Sequence, residues 1–199
     1  MSCMKRDVLL VVEDELSGIV LRKLVEESAN RLFVYSVLTM GGFGKIKTGI
    51  QRFKNASNVM PHIVLTDLDT RDCAPSLLED WGVGTDIRNI LFRVAVREVE
   101  AWLLADREGI AKYLKLPLAK TPQHPEQEID PKQSLFSLVR KCKKRRLVEE
   151  LVPATGSSAS VGPLYNTRMG DFVRDIWNIQ RAVENSDSLS RTVNRIASF

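Results

Sequence analysis

IVLTDLDTRDC, residues 63–73, is the stretch of this 199-residue chain that decides its fold class. The run from Ile63 to Leu65 is wholly apolar, which predicts a strand buried on both faces of a sheet. It leads directly to Asp67 and Asp69, two carboxylates that repel each other at short range. In open α/β sheets, ligands bind at the carboxyl ends of the strands. The pair of acids therefore predicts a ligand site where this strand ends.

The remainder of the first 115 residues alternates between strand and helix patterns. Apolar runs predict strands at 7–12, 32–38, 62–66 and 90–96, and apolar residues at helical spacing predict helices at 16–28, about 45–54, 76–81 and 97–114. This alternation is typical of a parallel sheet covered by helices, so we expect an α/β fold. If the first and third strands are neighbours, Glu13 meets Asp67 and Asp69 at one edge of the sheet.

The pattern changes after Leu116. A loop with three prolines at 121–133 separates the α/β pattern from predicted helices at 133–151, 167–184 and from Ser186 or Asp187 onward. We therefore expect an α/β core at residues 1–116. A mostly helical C-terminal extension, residues 117–199, is expected to pack on that core.

Composition indicates a globular protein of the cytoplasm. The chain is 44% hydrophobic and 27% charged, and it has no apolar run near 18 residues and no signal-peptide pattern. Its three cysteines form neither a disulfide framework nor a zinc spacing. The formal net charge is +4, and a basic block occupies residues 140–146. That block is either a surface for a nucleic-acid backbone or a solvated helix face.

Glu13, Asp67 and Asp69 are the main candidates for chemistry. Magnesium takes oxygen ligands and is often held by one or two carboxylates together with substrate phosphates. A divalent ion also relieves the repulsion between acids that lie close together. The pattern therefore favours a site for Mg²⁺ or Mn²⁺ that acts on phosphodiesters. The alternative for Asp67 and Asp69 is a turn that caps the following helix.

A second set of candidates follows the fourth strand. Glu98 is a possible further metal ligand or base, or simply an acid favoured by the dipole of a first helical turn. In a regular helix from Arg97, Glu98 and Glu100 would point about 200° apart, so both cannot face one site. Asp106 falls near the apolar face, where it could be a buried hydrogen-bonding residue. Lys132 lies in a turn and could reach a phosphate.

Several other residues have plainer interpretations. The stretch MGGFGK, from Met40, lacks the phosphate-loop pattern; it is either an anion-binding turn or, as we favour, a flexible strand-to-helix turn. An ATP site is not expected. His62 is expected to be structural, and His124 lies in the proline-rich loop without ligand partners. The tryptophans are expected in the core rather than against bases: Trp81, Trp102 and Trp177.

The motifs together carry a resemblance to a known family. Glu13 after the first strand, with Asp67-Leu68-Asp69 after a later one, resembles the TOPRIM domain of topoisomerases, DnaG-type primases and OLD-family nucleases. More closely, the segments VVEDELS, TDLD, FRVAVREVEAWLLAD, DPK and VGPLYN resemble small stand-alone TOPRIM-like bacterial proteins. Several proteins of that group are associated with mobile elements and anti-phage defence. One departure is Asp14, where many TOPRIM domains have glycine.

The resemblance implies a magnesium-dependent nuclease that cleaves DNA or RNA. It assigns acid–base chemistry to Glu13 and metal binding to Asp67 and Asp69; Glu98 and Lys132 are additional candidates. A non-catalytic subunit that binds nucleic acid or an ATPase in a defence complex is the alternative. A toxin-like effector that cleaves host RNA is a third possibility, and a homodimer is possible in each case.

Overall fold

The computed structural model describes residues 5–29, 31–84 and 88–199. The chain forms two compact units. The first is Met1–Val96 with Ser188–Phe199, and the second is Arg97–Asp187. In the part of the chain that is described, no helix is both long and apolar enough to cross a membrane.

The first unit contains a four-stranded parallel sheet with the strand order β2-β1-β3-β4. The strands are β1 (Arg6–Val12), β2 (Leu32–Thr39), β3 (His62–Asp67) and β4 (Ile90–Ala95). Each differs from its predicted bounds by one residue at most. The apolar runs of β3 and β4 correspond to strands buried on both faces, whereas β2 is an edge strand on which Phe33 and Tyr35 are exposed. The predicted α/β class with a parallel, helix-covered sheet is confirmed.

The register of the sheet brings the acidic strand ends together. β1 pairs directly with β3, with Leu9 beside His62 and Val11 beside Val64. The residues that follow each strand therefore emerge at the same edge. The condition set from the sequence, that the first and third strands are neighbours, is met.

Four helices complete the first unit: α1 (Glu15–Ser28), α2 (Phe43–Ala56), α3 (Ala74–Asp80) and α10 (Asp187–Ala197). Apolar side chains of α2 and α3 join those of the sheet in one buried cluster that includes Ile46, Leu77 and Phe92. α1 packs closely at Gly18, where an added Cβ would lie 3.0 Å from Val37 Cγ1. Glycine at this position therefore allows the close approach of helix and sheet.

The last helix is grouped with the first unit. Its Thr192 hydroxyl accepts a hydrogen bond from Arg93 Nε at 3.2 Å, and Ser188 Oγ accepts one from Val96 N at 3.3 Å. Both donors lie on β4 or directly after it. The C-terminal part of the chain is helical, as expected, and α10 is the helix of it that packs on the sheet.

The second unit is helical and has two short 3₁₀ turns. Its helices are α4 (Val99–Ala105), α5 (Arg107–Leu114), α6 (Pro131–Lys141), α7 (Arg145–Leu151), α8 (Tyr165–Asp175) and α9 (Ile179–Val183). Each of the three long helices predicted from the sequence is divided in two. The expected boundary after residue 116 falls inside this unit, because α4 packs against α6 and α9.

Asp106 explains the first of these breaks. Its buried carboxylate accepts hydrogen bonds from Arg181 at 2.6 and 2.8 Å and from Asn178 N at 2.8 Å. It also caps α5 through Gly109 N at 3.0 Å. The expectation of a buried hydrogen-bonding residue is confirmed. The three tryptophans are also buried as expected, and Trp177 Nε1 donates to the Trp102 carbonyl.

Replacement of Asp106 by alanine is expected to destabilise the protein by about 3–5 kcal/mol, because it leaves Arg181 and two backbone N–H groups without their acceptor. Urea denaturation measures this free energy. Glu108→Ala is the matched control, because Glu108 lies 3.8 Å from Arg181 but is 70% exposed. Equal losses in the two variants would contradict the role given to Asp106.

Candidate functional site

Glu13 links the ends of two neighbouring strands. It follows β1 directly and is half-buried. Its Oε1 atom accepts hydrogen bonds from the Thr66 hydroxyl and from the backbone N–H of Asp67, the latter at 2.9 Å. The carboxylate thus lies beside the acidic end of β3. Thr66 was not among the residues predicted for the site, although it immediately precedes Asp67.

The surroundings of Glu13 favour its protonated form. Burial raises the pKa of its carboxyl above the usual 4.5, and hydrogen bonds from Thr66 and from the Asp67 N–H partly oppose that rise. The negative charges of Asp69 and Asp14 raise the pKa further. A carboxyl with a raised pKa keeps its proton to a higher pH than a free glutamate does, which is the direction that favours general acid–base catalysis.

Asp67 and Asp69 are presented by a tight turn. Asp67 is the last residue of β3, and the next N–H, that of the buried Leu68, donates to the Ala95 carbonyl at 2.9 Å. Asp69 has a left-handed backbone with φ 51°, a conformation that aspartate tolerates better than most residues. The turn therefore keeps both acids at the end of the strand.

Arg71 is a nearby cation that sequence reasoning missed. Its Nη1 lies 3.6 Å from Asp69 Oδ2, and its guanidinium lies 4.4 Å from the centre of the Phe43 ring. Arg71 lies inside the quoted stretch 63–73, two residues after Asp69, so its closeness to the acids could have been inferred from the sequence. It partly neutralises the acidic edge.

The acids at this edge suit a hard cation by chemistry, since all three supply carboxylate oxygens. Within residues 5–29, 31–84 and 88–199, however, no three acidic, histidine or cysteine side chains are arranged to hold a metal ion. The fit is therefore one of donor type and of position on the same edge. An ion bound through Asp69 Oδ2 would compete with Arg71 for that oxygen.

Asp14 and the glycine-rich turn make hydrogen bonds with backbone groups at this edge. Asp14 Oδ1 accepts from Ser17 N at 2.8 Å and caps α1, so this departure from the TOPRIM pattern has a structural role. The N–H groups of Gly41 and Gly42 donate to the Glu13 carbonyl at 2.8 and 3.2 Å. Both glycines have positive φ, 75° and 116°. These two amides hold the loop after β1 in place. They agree with the favoured interpretation of the stretch MGGFGK as a strand-to-helix turn.

Glu98 and Lys132 form a cluster in the second unit. Lys132 Nζ lies 3.5 Å from Glu98 Oε1 and 3.4 Å from Glu100 Oε1. The Tyr165 hydroxyl also donates to the buried Glu100 at 2.7 Å, a contact that sequence reasoning did not predict. The expectation that the two glutamates cannot face one site is wrong. It assumed a helix from Arg97, whereas α4 begins at Val99 and Glu98 is an extended N-cap.

The basic block is only partly available at the surface. Lys144 donates to the Tyr113 carbonyl at 2.8 Å, while Arg145 and Arg146 pair with glutamates one turn along α7. Arg140, Lys141 and Lys143 are exposed. The block is divided between the end of α6, a turn and the start of α7, so it does not form one helix face.

The two histidines take no part in these clusters. His62 is buried, and its Nδ1 lies 2.6 Å from the Met60 carbonyl, in agreement with a structural role. His124 is exposed in its loop.

Comparison of the chain with known protein families, with curated proteins and with solved structures gave no match. The function is therefore argued from the residues of the two clusters themselves.

Replacement of Lys132 by methionine is expected to destabilise the protein by roughly 2 kcal/mol, because Glu98 and Glu100 would face each other without the ammonium. Thermal and urea unfolding measure the loss. Lys141→Met removes an exposed lysine and is expected to change stability by less than about 0.5 kcal/mol. An unchanged midpoint for Lys132→Met would show that the cluster contributes nothing to stability.

The pH dependence of stability offers a second test. Burial and the charge of Glu100 raise the pKa of Glu98 above 4.5, while Lys132 lowers it. The folded state thus binds the Glu98 proton more tightly than the unfolded state. The contribution of Glu98 to stability then falls as pH rises from about 4.5 through its folded pKa. Glu98→Gln is expected to remove this decline, measured by urea unfolding from pH 4 upward, and an identical profile would contradict it.

Proposed function

We propose that the protein is a metal-dependent nuclease that cleaves phosphodiester bonds of DNA or RNA with Mg²⁺ or Mn²⁺. The observation that carries the proposal is the position of Glu13, whose carboxylate is hydrogen-bonded to the end of the strand that bears Asp67 and Asp69. Three acids from two adjacent parallel strands thus share one edge. The resemblance to TOPRIM domains, nuclease domains among them, supports the same chemistry.

Each acid has a proposed role. Asp67 and Asp69 would hold the metal together with Glu13, and a bound ion would stabilise the charge that develops on the phosphoryl oxygens. Both hydrogen bonds to Glu13 end on Oε1, which leaves Oε2 to face an ion or substrate. The raised pKa of Glu13 suits it to give or take a proton at the reacting oxygen.

Glu98 and Lys132 are retained as proposed auxiliary residues. Their ion pair has a structural role, because it joins the start of α4 to the start of α6. Stabilisation of phosphate charge by Lys132 would be a second role, in addition to this ion pair. A cytoplasmic location, a role in phage defence and a homodimer belong to the same proposal.

One observation favours a second candidate, a non-catalytic subunit that binds nucleic acid or an ATPase partner. In the described part of the chain no three potential ligands converge on a metal position, and Asp69 is paired with Arg71. An acidic edge partly neutralised by its own arginine can serve as a binding surface without turnover. The two candidates differ in whether the acids bind a metal ion.

Cleavage assays with labelled plasmid, linear DNA and transfer RNA test the proposal. In Mg²⁺ or Mn²⁺ the unmodified protein is expected to cut at least one substrate. Glu13→Gln is expected to lower the rate at least about a hundredfold, the usual contribution of a general acid or base. Asp67→Asn is expected to abolish cleavage and to weaken Mn²⁺ binding in calorimetry.

Asp72→Asn is the matched control, because Asp72 is an exposed acid of the same loop. It is expected to keep the full rate. Absence of cleavage by the unmodified protein, with nucleic-acid binding intact in all variants and in the presence of EDTA, would overturn the nuclease in favour of the binding subunit.

A further inference from the structure

An open groove runs along the free edge of β4 in the first unit. Its volume is about 1050 Å³. One wall is formed by α3, with Pro75 and Leu78, and the floor is formed by β4, with Ile90 and Phe92. Among the described residues β4 is the terminal strand of the sheet, so the groove lies beside the strand that ends the sheet.

Three arginines line the same groove. Arg93 projects from β4 and is half-buried, while Arg191 and Arg195 are exposed on successive turns of α10. Arg93 is oriented by its hydrogen bond from Nε to Thr192 Oγ1. Burial, followed by repulsion from Arg195 and Arg191, lowers the pKa of Arg93. Glu79 on the opposite wall is the acid that lines the groove among the described residues.

The groove and the acidic edge belong to the same sheet. Arg93 is aligned with Leu65 of β3, and Asp67 is aligned with Ala95 of β4. Aligned residues of neighbouring strands point to the same face, and so do residues two apart on one strand. Arg93 and Asp67 therefore share a face of the sheet and are offset by two residues, which is about 7 Å along the strands. In a duplex each strand carries one charge per about 3.4 Å of helix axis, so a backbone that passes Arg93 places further phosphates within such an offset.

We propose that the groove of Arg93, Arg191 and Arg195 binds the phosphate backbone of the nucleic-acid strand whose neighbouring phosphodiester reaches Asp67 and Asp69. The inference names a binding path for the substrate and in that respect rests on the proposed function. Guanidinium groups match phosphate oxygens in a bidentate manner. The groove is a surface cleft of about 1050 Å³, which is larger than an enclosed small-molecule pocket needs to be and suits a polymer.

The basic block at 140–146 is the competing surface. It lies in the other unit. The groove arginines instead belong to the unit that carries the acidic edge. The structure therefore assigns backbone binding to the groove.

Fluorescence anisotropy with a labelled single-stranded oligonucleotide, in EDTA and over a range of salt concentrations, tests this assignment without cleavage. The double variant Arg191→Gln/Arg195→Gln is expected to bind at least about tenfold more weakly. Loss of two phosphate contacts should also reduce the slope of log affinity against log salt by ~1.4, at about 0.7 per contact for single strands. The control Lys141→Gln/Lys143→Gln removes two exposed charges from the basic block and is expected to change neither quantity.

Circular dichroism melting checks that both double variants are folded, and Arg191→Lys/Arg195→Lys is expected to recover part of the affinity by restoring charge. Unchanged binding by the groove variant, or a loss confined to the block variant, would overturn the proposal. Binding of a glutamate-rich peptide in place of the oligonucleotide would overturn it in favour of a protein partner.

The same variants separate this inference from the nuclease proposal. Groove-dependent binding in EDTA without cleavage in Mg²⁺ or Mn²⁺ would support the groove and overturn the nuclease. Cleavage and binding that are both insensitive to Arg191→Gln/Arg195→Gln would support the nuclease and overturn the groove.

Discussion

The carboxylate of Glu13 couples the fold to the candidate site. A half-buried acid is unfavourable unless its oxygens find donors, and Glu13 finds them in the Thr66 hydroxyl and the Asp67 N–H. These bonds require β1 and β3 to be adjacent and to end at the same level, as the parallel register provides. The glycine turn then closes over the Glu13 carbonyl. The Glu13 carboxylate therefore also helps to hold the sheet edge in place. Its raised pKa follows chiefly from the same partial burial.

Much of the charge near the candidate residues is balanced inside the protein. Asp69 has Arg71, Asp14 caps α1, and the glutamates beside Lys132 share one ammonium. Such pairing is weak where solvent reaches it, and the pair of Asp69 and Arg71 is partly exposed. An ion of higher charge density could replace Arg71 at modest cost. The buried Glu100 is different, since its partners Lys132 and Tyr165 are costly to remove. The acidic edge of the first unit is thus the more adaptable of the two clusters.

The sheet and its acidic edge were predictable from the sequence because they depend on local signals. Apolar runs mark buried strands, and parallel strands necessarily share an edge. The breaks in the helices were not predictable in the same way. Asp106 ends α4 and starts α5 through Arg181, a partner 75 residues away. Glu98 and Glu100 face the same lysine because α4 begins two residues later than a regular helix from Arg97 would. The assignment of α10 to the first unit likewise depends on contacts with β4 that no local pattern records.

The arginine groove shows why charge density along a sequence is a poor guide to a binding surface. The basic block is the densest cationic segment, but it is divided between two helices and a turn, and it lies in the unit that does not carry the acidic edge. Arg93 and α10 are far apart in the chain, since Thr192 lies 99 positions after Arg93. Folding brings them together at an open strand edge, where repulsion among three guanidinium groups favours an anionic ligand. Because the acidic edge repels phosphates, a strand that approaches it needs cations on the same side of the sheet. The groove arginines meet this requirement within the same unit.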